Sequence, residues 1–238
     1  MKTLDCESIE STYKSLKTIL GVEKSDLCQL FDSVDVYKEI RESFCGFLLS
    51  YIQKKTHCKT DFDKACFFHA TRTWPDNTYE DGLLPTKQAE DKICNFLSKL
   101  VNRQATITPR GNAMIRQNKY NHGGPFGFLI RDFAFVRDQR YVNYFDCPEI
   151  VEDNSLKKEY KPKTVPCIVK FVDQWEPTTK AWIPTEALSV ALLYAYHDHH
   201  DKKLGQEMEL TYSFNGRNAL VPKKNIFKVE FPRKTTII

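Results

Sequence analysis

The chain is predicted to fold as an α+β protein, and three observations carry that expectation. The first sixty residues hold helical periodicities, two glycines and no proline. From Phe62 onward β-branched and aromatic runs, prolines and glycines appear. In that second part several strand-like runs are interspersed with helices, without the regular alternation of a parallel α/β fold. A boundary is therefore placed at residue 62, with a helical region over 1–62 and an α+β domain over 63–238.

The elements follow in order. Ile9, Tyr13, Leu16 and Leu20 recur at helical spacing, and Gly21 stops that helix. Asp26 is positioned to cap a short helix carrying Leu27, Leu30 and Phe31. Tyr37, Ile40, Phe44, Phe47, Leu48 and Tyr51 form a third apolar stripe. Ala65 to Thr71 reads as a buried strand. Pro75 to Asp81 is a short helix or turn ended by Gly82. Thr86 to Val101 is a helix with Ile93, Leu97 and Leu100 on one face. Strands are expected over Pro125 to Val136, Val165 to Val172, Glu207 to Phe214 and Ile226 to Phe231. Thr185 is placed to cap a helix from Glu186 to about His199.

Composition excludes several classes. With 238 residues, 41% hydrophobic and 28% charged, the chain is neither a disordered nor a collagenous sequence. Eight cysteines at 6, 28, 45, 58, 66, 94, 147 and 167 form no C-x-x-C pair. The acidic start lacks the apolar core of a signal peptide. The longest apolar stretch, Ala187 to Tyr196, is far short of the roughly 20 residues that span a bilayer. These features lead us to expect a cytoplasmic protein with reduced thiols and no membrane partner.

Four groups of residues are candidates for chemistry. On a strand, Phe67, His69 and Thr71 share one face, while Cys66, Phe68 and Ala70 share the other. That geometry separates Cys66 from His69 as metal ligands. His69 is then either a core histidine bonded to a main-chain carbonyl or a site residue. Second, Lys99 to Arg131 holds six basic residues (Lys99, Arg103, Arg110, Arg116, Lys119, Arg131) and no acid. It runs into His122-Gly123-Gly124-Pro125, where accessible backbone amides are expected. Such a stretch is either a solvated basic loop or a surface for phosphate, with Tyr120 and Phe126 able to stack on a base. Third, Glu207 and Glu209 share one face of the expected Glu207 to Phe214 strand. They are either a solvent-facing edge or a carboxylate pair able to grip a ribose diol. Fourth, His197-Asp198-His199-His200-Asp201 ends a helix, and is either a density of imidazoles and carboxylates able to bind a metal, as in a metal-dependent hydrolase using His197, His199 or His200, or a helix end where histidine complements the dipole. His197 and His200 are expected to face together, with His199 pointing elsewhere, and no metal is assigned.

The order of these motifs is more informative than any one of them. Phe67-Phe68-His69-Ala70-Thr71-Arg72, followed by Tyr79 to Pro85, resembles the opening of the ADP-ribosyltransferase-like superfamily, of the PARP and bacterial toxin type. Gly123-Gly124-Pro125-Phe126-Gly127-Phe128 is similar to its aromatic strand beside a Gly-rich stretch. Glu207 to Tyr212, followed by Val221 to Val229, is similar to its glutamate strand and closing segment. The resemblance covers residues 63–238. It implies a mixed or antiparallel split β-sheet with an NAD cleft, and an N-terminal helical region packed on it. NAD would be the substrate. His69 would bind a ribose hydroxyl and the Ala70 backbone the nicotinamide amide. Phe126 or Phe128 would stack on nicotinamide. Glu207 or Glu209 would support the oxocarbenium-like transition state. Thr71 would line the same cleft, and Arg72 and the basic residues Arg103, Arg110, Arg116 and Lys119 would face phosphate. The function implied is an ADP-ribosyltransferase modifying nucleic acid or protein, as in a toxin or defence effector. A non-enzymatic nucleic-acid-binding module using residues 99–131 is the alternative.

Overall fold

The computed structural model describes residues 2–34, 44–102, 104, 123–135, 145, 148, 157–202 and 212–232. These residues form an α+β fold whose strands make one six-stranded sheet. The strands are β1 (Thr3–Leu4), β2 (Lys64–Thr73), β3 (Phe126–Phe128), β4 (Val165–Gln174), β5 (Ser213–Asn215) and β6 (Ile226–Glu230). Their order is β5-β3-β2-β4-β6, with β1 also on β2. β1 runs parallel to β2, with Leu4 opposite Ala65. β6 runs antiparallel to β4, with Val229 opposite Val169. The sheet is therefore mixed. β2 is buried almost continuously from Ala65 to Ala70, as a strand with neighbours on both sides and both faces covered must be.

The described helices are α1 (Ile9–Leu20), α2 (Lys24–Asp32), α3 (Phe44–Thr56), α4 (Thr86–Val101), α5 (Lys157–Tyr160) and α6 (Pro184–His199). α1 starts at a reciprocal Ser8–Ser11 capping box and ends at Gly21, whose φ of +71° is the left-handed cap that glycine adopts without strain. α2 starts two residues before Asp26, and its N-cap Glu23 makes no side-chain cap bond. α6 begins at Pro184, where the fixed φ and missing N–H suit a first helical position, rather than behind a Thr185 cap. The expected strand over 125–136 is shorter. The named strand covers Phe126–Phe128, Ile130 adds an isolated bridge to Cys6, and a 3-10 turn follows over Arg131–Phe135.

The chain divides into two compact units. The first comprises Met1–Phe67, Phe128–Val136 and Val172–Ser213. Its centre is α6, where every residue from Ala187 to His197 is buried, as expected of a helix without a polar face. α1, α2 and α3 all pack on α6. The Tyr13 hydroxyl donates to the Ala195 carbonyl at 3.0 Å, and the Phe31 and Tyr196 rings meet edge to face at 5.6 Å.

In the same unit the indole N–H of Trp182 donates to Asp173 at 3.0 Å. Burial raises the Asp173 carboxyl to about 6, against the lowering effect of that bond. The folded state thus holds this proton more tightly than the unfolded chain. The stability linked to it is present below about pH 4 and is lost as pH rises through about 6. Asp173→Asn keeps an acceptor for the indole and carries no charge. Its melting temperature is expected to match wild type in acid and exceed it at neutral pH, as paired thermal melts would record.

The second unit comprises Phe68–Gly127, Arg137–Phe171 and Phe214–Ile238. Its core includes Phe68, Leu83, Leu97, Tyr160, Ile168, Phe171 and Val221. Burying each such side chain contributes roughly 1.5–3 kcal/mol. Trp74 stacks on Phe96 at 5.0 Å, and Phe96 meets Tyr160 edge-on at 6.1 Å.

Candidate functional site

His69 lies late in β2 and is partly buried. Its Nδ1 is 2.6 Å from the Phe126 carbonyl oxygen. A carbonyl only accepts, so Nδ1 carries the hydrogen and donates it. Burial lowers the imidazole pKa, outweighing the raising effect of that bond. The ring is therefore neutral at physiological pH, with Nε2 as an acceptor. A core histidine makes this bond, and the same bond fixes the tautomer of a ligand-binding one.

The partner strand is held with unusual completeness. Four consecutive carbonyls, from Gly123 to Phe126, each accept a hydrogen bond from a different residue. Thr86 donates to Gly123 through both its backbone N–H (2.8 Å) and its hydroxyl (2.7 Å). Asn218 N–H donates to Gly124 at 3.0 Å, and Gly216 N–H donates to Pro125 at 2.9 Å. His69 completes the series at Phe126. Gly124 has φ +64°, and a Cβ there would stand 3.2 Å from the Phe126 ring. Gly123, Gly124 and Pro125 are buried. The glycine stretch, expected to offer accessible amides, instead serves as a close-packed support for Phe126.

The remaining predicted residues fall in different places. Ala70 and Thr71 are buried, at 5% and 9% exposure. Arg72 donates to the Phe145, Lys161 and Thr164 carbonyls and to the Thr164 hydroxyl. Phe128 belongs to the first unit, where its ring lies 6.4 Å from Phe133. Glu207, Glu209, Arg103, Arg110, Arg116, Lys119 and Tyr120 lie outside the described residues. The structure thus brings together His69 and Phe126.

Cys167 is a poor nucleophile. Burial pushes its thiol up to about 12, and the Tyr79 hydroxyl lies 3.1 Å from its sulfur. The thiolate that cysteine chemistry needs is absent near neutral pH.

Two features of the first unit were not assigned from sequence. One is a cavity of about 410 Å³ lined by Glu10, Arg131, Asp132, Tyr194, His197 and Asp198, among others. Its Tyr194 hydroxyl donates to Asp132 at 3.1 Å. The other is a group of Asp32, His199 and His200 whose ligand atoms all lie within 4.8 Å of one another. His199, expected to point elsewhere, lies in one group with His200. The rings of His199 and His200 are 4.8 Å apart. His200 is the helix C-cap, at φ −100° and ψ 17°, so helical spacing no longer dictates where its ring goes. Both features join residues far apart in the chain: the His197–Asp201 run contains two members of the metal group, and Asp32 reaches them from another helix.

No family model matches the chain, and no solved structure matches it. The chain is similar to Transcription-associated protein 1 of Drosophila melanogaster, at 23% identity over 131 residues. That match covers 52% of this chain and 3% of the fly protein.

Proposed function

We propose that this chain is an NAD-dependent ADP-ribosyltransferase that modifies a macromolecule. The observation that supports the reading is the His69–Phe126 bond at 2.6 Å. It joins a histidine and an aromatic strand that the resemblance assigns to one NAD cleft. The neutral imidazole keeps Nε2 as an acceptor for a ribose hydroxyl. Phe126 is assigned as the stacking aromatic because it shares a unit with His69, whereas Phe128 is engaged with Phe133.

In this reading the bond between nicotinamide and ribose breaks, and nicotinamide leaves with the bonding electrons. Positive charge then develops on the ribose, and Glu207 or Glu209 stabilises it. A fixed carboxylate at such a centre acts mainly in the transition state. The acceptor group attacks the ribose carbon and releases its proton. Six basic residues without an acid over 99–131 support a nucleic acid as acceptor.

The test incubates the full chain with labelled NAD and separate pools of DNA, RNA and protein. Label is expected in one pool, with nicotinamide released in equal amount. Loss of the catalytic glutamate, tested as Glu207→Gln and Glu209→Gln, is expected to slow release by roughly 10²–10³-fold. His69→Ala is expected to raise the KM for NAD. Absence of nicotinamide release from every pool, or release untouched by all three substitutions, would overturn the assignment.

A further inference from the structure

We propose that Asp32, His199 and His200 form a binding site for a divalent transition metal, zinc being the best fit. Two imidazoles and one carboxylate are a donor set that suits borderline metals of the zinc type. All three residues belong to the first unit. Asp32 ends α2, His199 ends α6, and His200 caps α6.

The geometry carries the inference. His199 Nε2 and Asp32 Oδ1 are 2.7 Å apart. Two ligands of one tetrahedral zinc stand about 3.4 Å apart, given metal–ligand bonds of about 2.1 Å. The present pair is closer because a hydrogen on Nε2 joins them. On metal binding the imidazole takes its Nδ1–H tautomer, and the Nε2 lone pair turns to the ion. The third ligand atom is within 4.8 Å, and side-chain rotation of about 1 Å brings it to coordination distance.

A second, independent observation concerns His200. Its Nε2 is buried and has no hydrogen-bond partner. Native proteins rarely leave such an atom orphaned, and an ion or ordered solvent is the usual remedy. An ion pair between Asp32 and His199 alone does not account for it. The surroundings are also of the right kind. The Phe31 ring lies 6.0 Å from His199, and the Tyr196 ring 4.4 Å from His200. An apolar floor of this sort restricts solvent and holds ligand rings in place. Three protein ligands leave the fourth tetrahedral position to water. The site would tie the C-terminal end of α2 to that of α6, and it is independent of the transferase reading.

The test strips the full chain with a chelator and titrates it with zinc by calorimetry, and with cobalt(II) by visible absorption. One equivalent is expected to bind, with the d–d bands of a tetrahedral nitrogen–oxygen site and a higher melting temperature. Asp32→Asn, His199→Gln and His200→Gln are each expected to weaken binding by more than the roughly tenfold that loss of an outer partner costs. Asp32 is exposed, so its variant keeps the fold, which circular dichroism of the metal-free protein checks. His57→Gln, at an exposed histidine outside the group, is expected to leave affinity unchanged. Binding that survives Asp32→Asn and His199→Gln, or sulfur-to-cobalt charge-transfer bands from cysteine ligation, would overturn the proposal. So would the absence of binding to the wild-type chain.

Discussion

Arg72→Ala is expected to lower the free energy of unfolding by about 3 kcal/mol, because charged donors to carbonyls contribute roughly 1.5–3 kcal/mol each and part of that returns as hydration. The Arg72 Nε donates to the Lys161 carbonyl at 3.3 Å and to the Thr164 hydroxyl at 3.0 Å. One terminal nitrogen donates to Phe145 at 2.8 Å. The other donates to Lys161 at 3.1 Å and Thr164 at 2.8 Å. The guanidinium therefore fastens β2 to the turn that leads into β4. The Arg72 carbonyl in turn accepts the Tyr160 hydroxyl at 2.7 Å. Lysine offers three donors on one atom and cannot span acceptors spread along two sides of a planar fork. Arg72→Lys should recover less than half of the loss. The measurement is the midpoint of a denaturant titration, with an unchanged slope showing that compactness is intact. An unshifted midpoint would mean that these donors contribute nothing to folding. In the proposed transferase reading, an arginine so occupied would offer a phosphate its positive field rather than its hydrogen-bonding edge.

What the sequence revealed depended on the range of the signal. The helix over Thr86 to Val101 and the strand around Ala65 to Thr71 were legible because their periodicities are local and span several repeats. Gly21 was legible because a left-handed cap is a property of one residue. β1 was not, since two residues carry no period and its pairing partner is some sixty positions away. The Phe-rich run after Pro125 looked like one long strand. Instead the continuous strand ends at Phe128, with one isolated bridge from Ile130 to Cys6 beyond it. Asp132, in the 3-10 turn beyond, takes a hydrogen bond from Tyr194, 62 residues on. Of the candidate site, His69 was marked by its place in a motif, but its bond to Phe126 crosses 57 positions. The Asp32–His199 contact crosses 167. Chemistry assembled by tertiary contact leaves no mark at fixed spacing.

Gly82→Ala is the second large effect, expected at about 3–4 kcal/mol from left-handed strain of 1–2 kcal/mol together with a broken main-chain pair. Gly82 has φ +77°, and a Cβ there would lie 2.1 Å from the Val221 oxygen and 3.0 Å from Leu220 Cδ1. The obstacle is backbone, so it cannot yield by changing rotamer. That same oxygen accepts the Leu83 N–H at 2.9 Å, and Val221 N–H donates back to Leu83 at 3.1 Å. Relieving the clash therefore means separating the Leu83–Val221 bridge. Gly21→Ala supplies the comparison. Its φ is +71°, but nothing lies within 4 Å of the added carbon, so only the left-handed strain of about 1–2 kcal/mol remains. The difference between the two substitutions isolates the cost of the close approach. Its consequence reaches the candidate site through covalent and hydrogen-bonded steps in one unit. Leu83 and Pro85 lead into α4, and Thr86 at its start holds Gly123. Gly123 begins the row of carbonyls that ends on His69. On the proposed transferase reading, Gly82→Ala is thus expected to weaken NAD binding at temperatures where the chain is still folded, whereas Gly21→Ala, at a helix end in the other unit, is expected to leave it unchanged. Equal effects of the two on NAD affinity would break that chain of contacts as an account of how His69 is positioned.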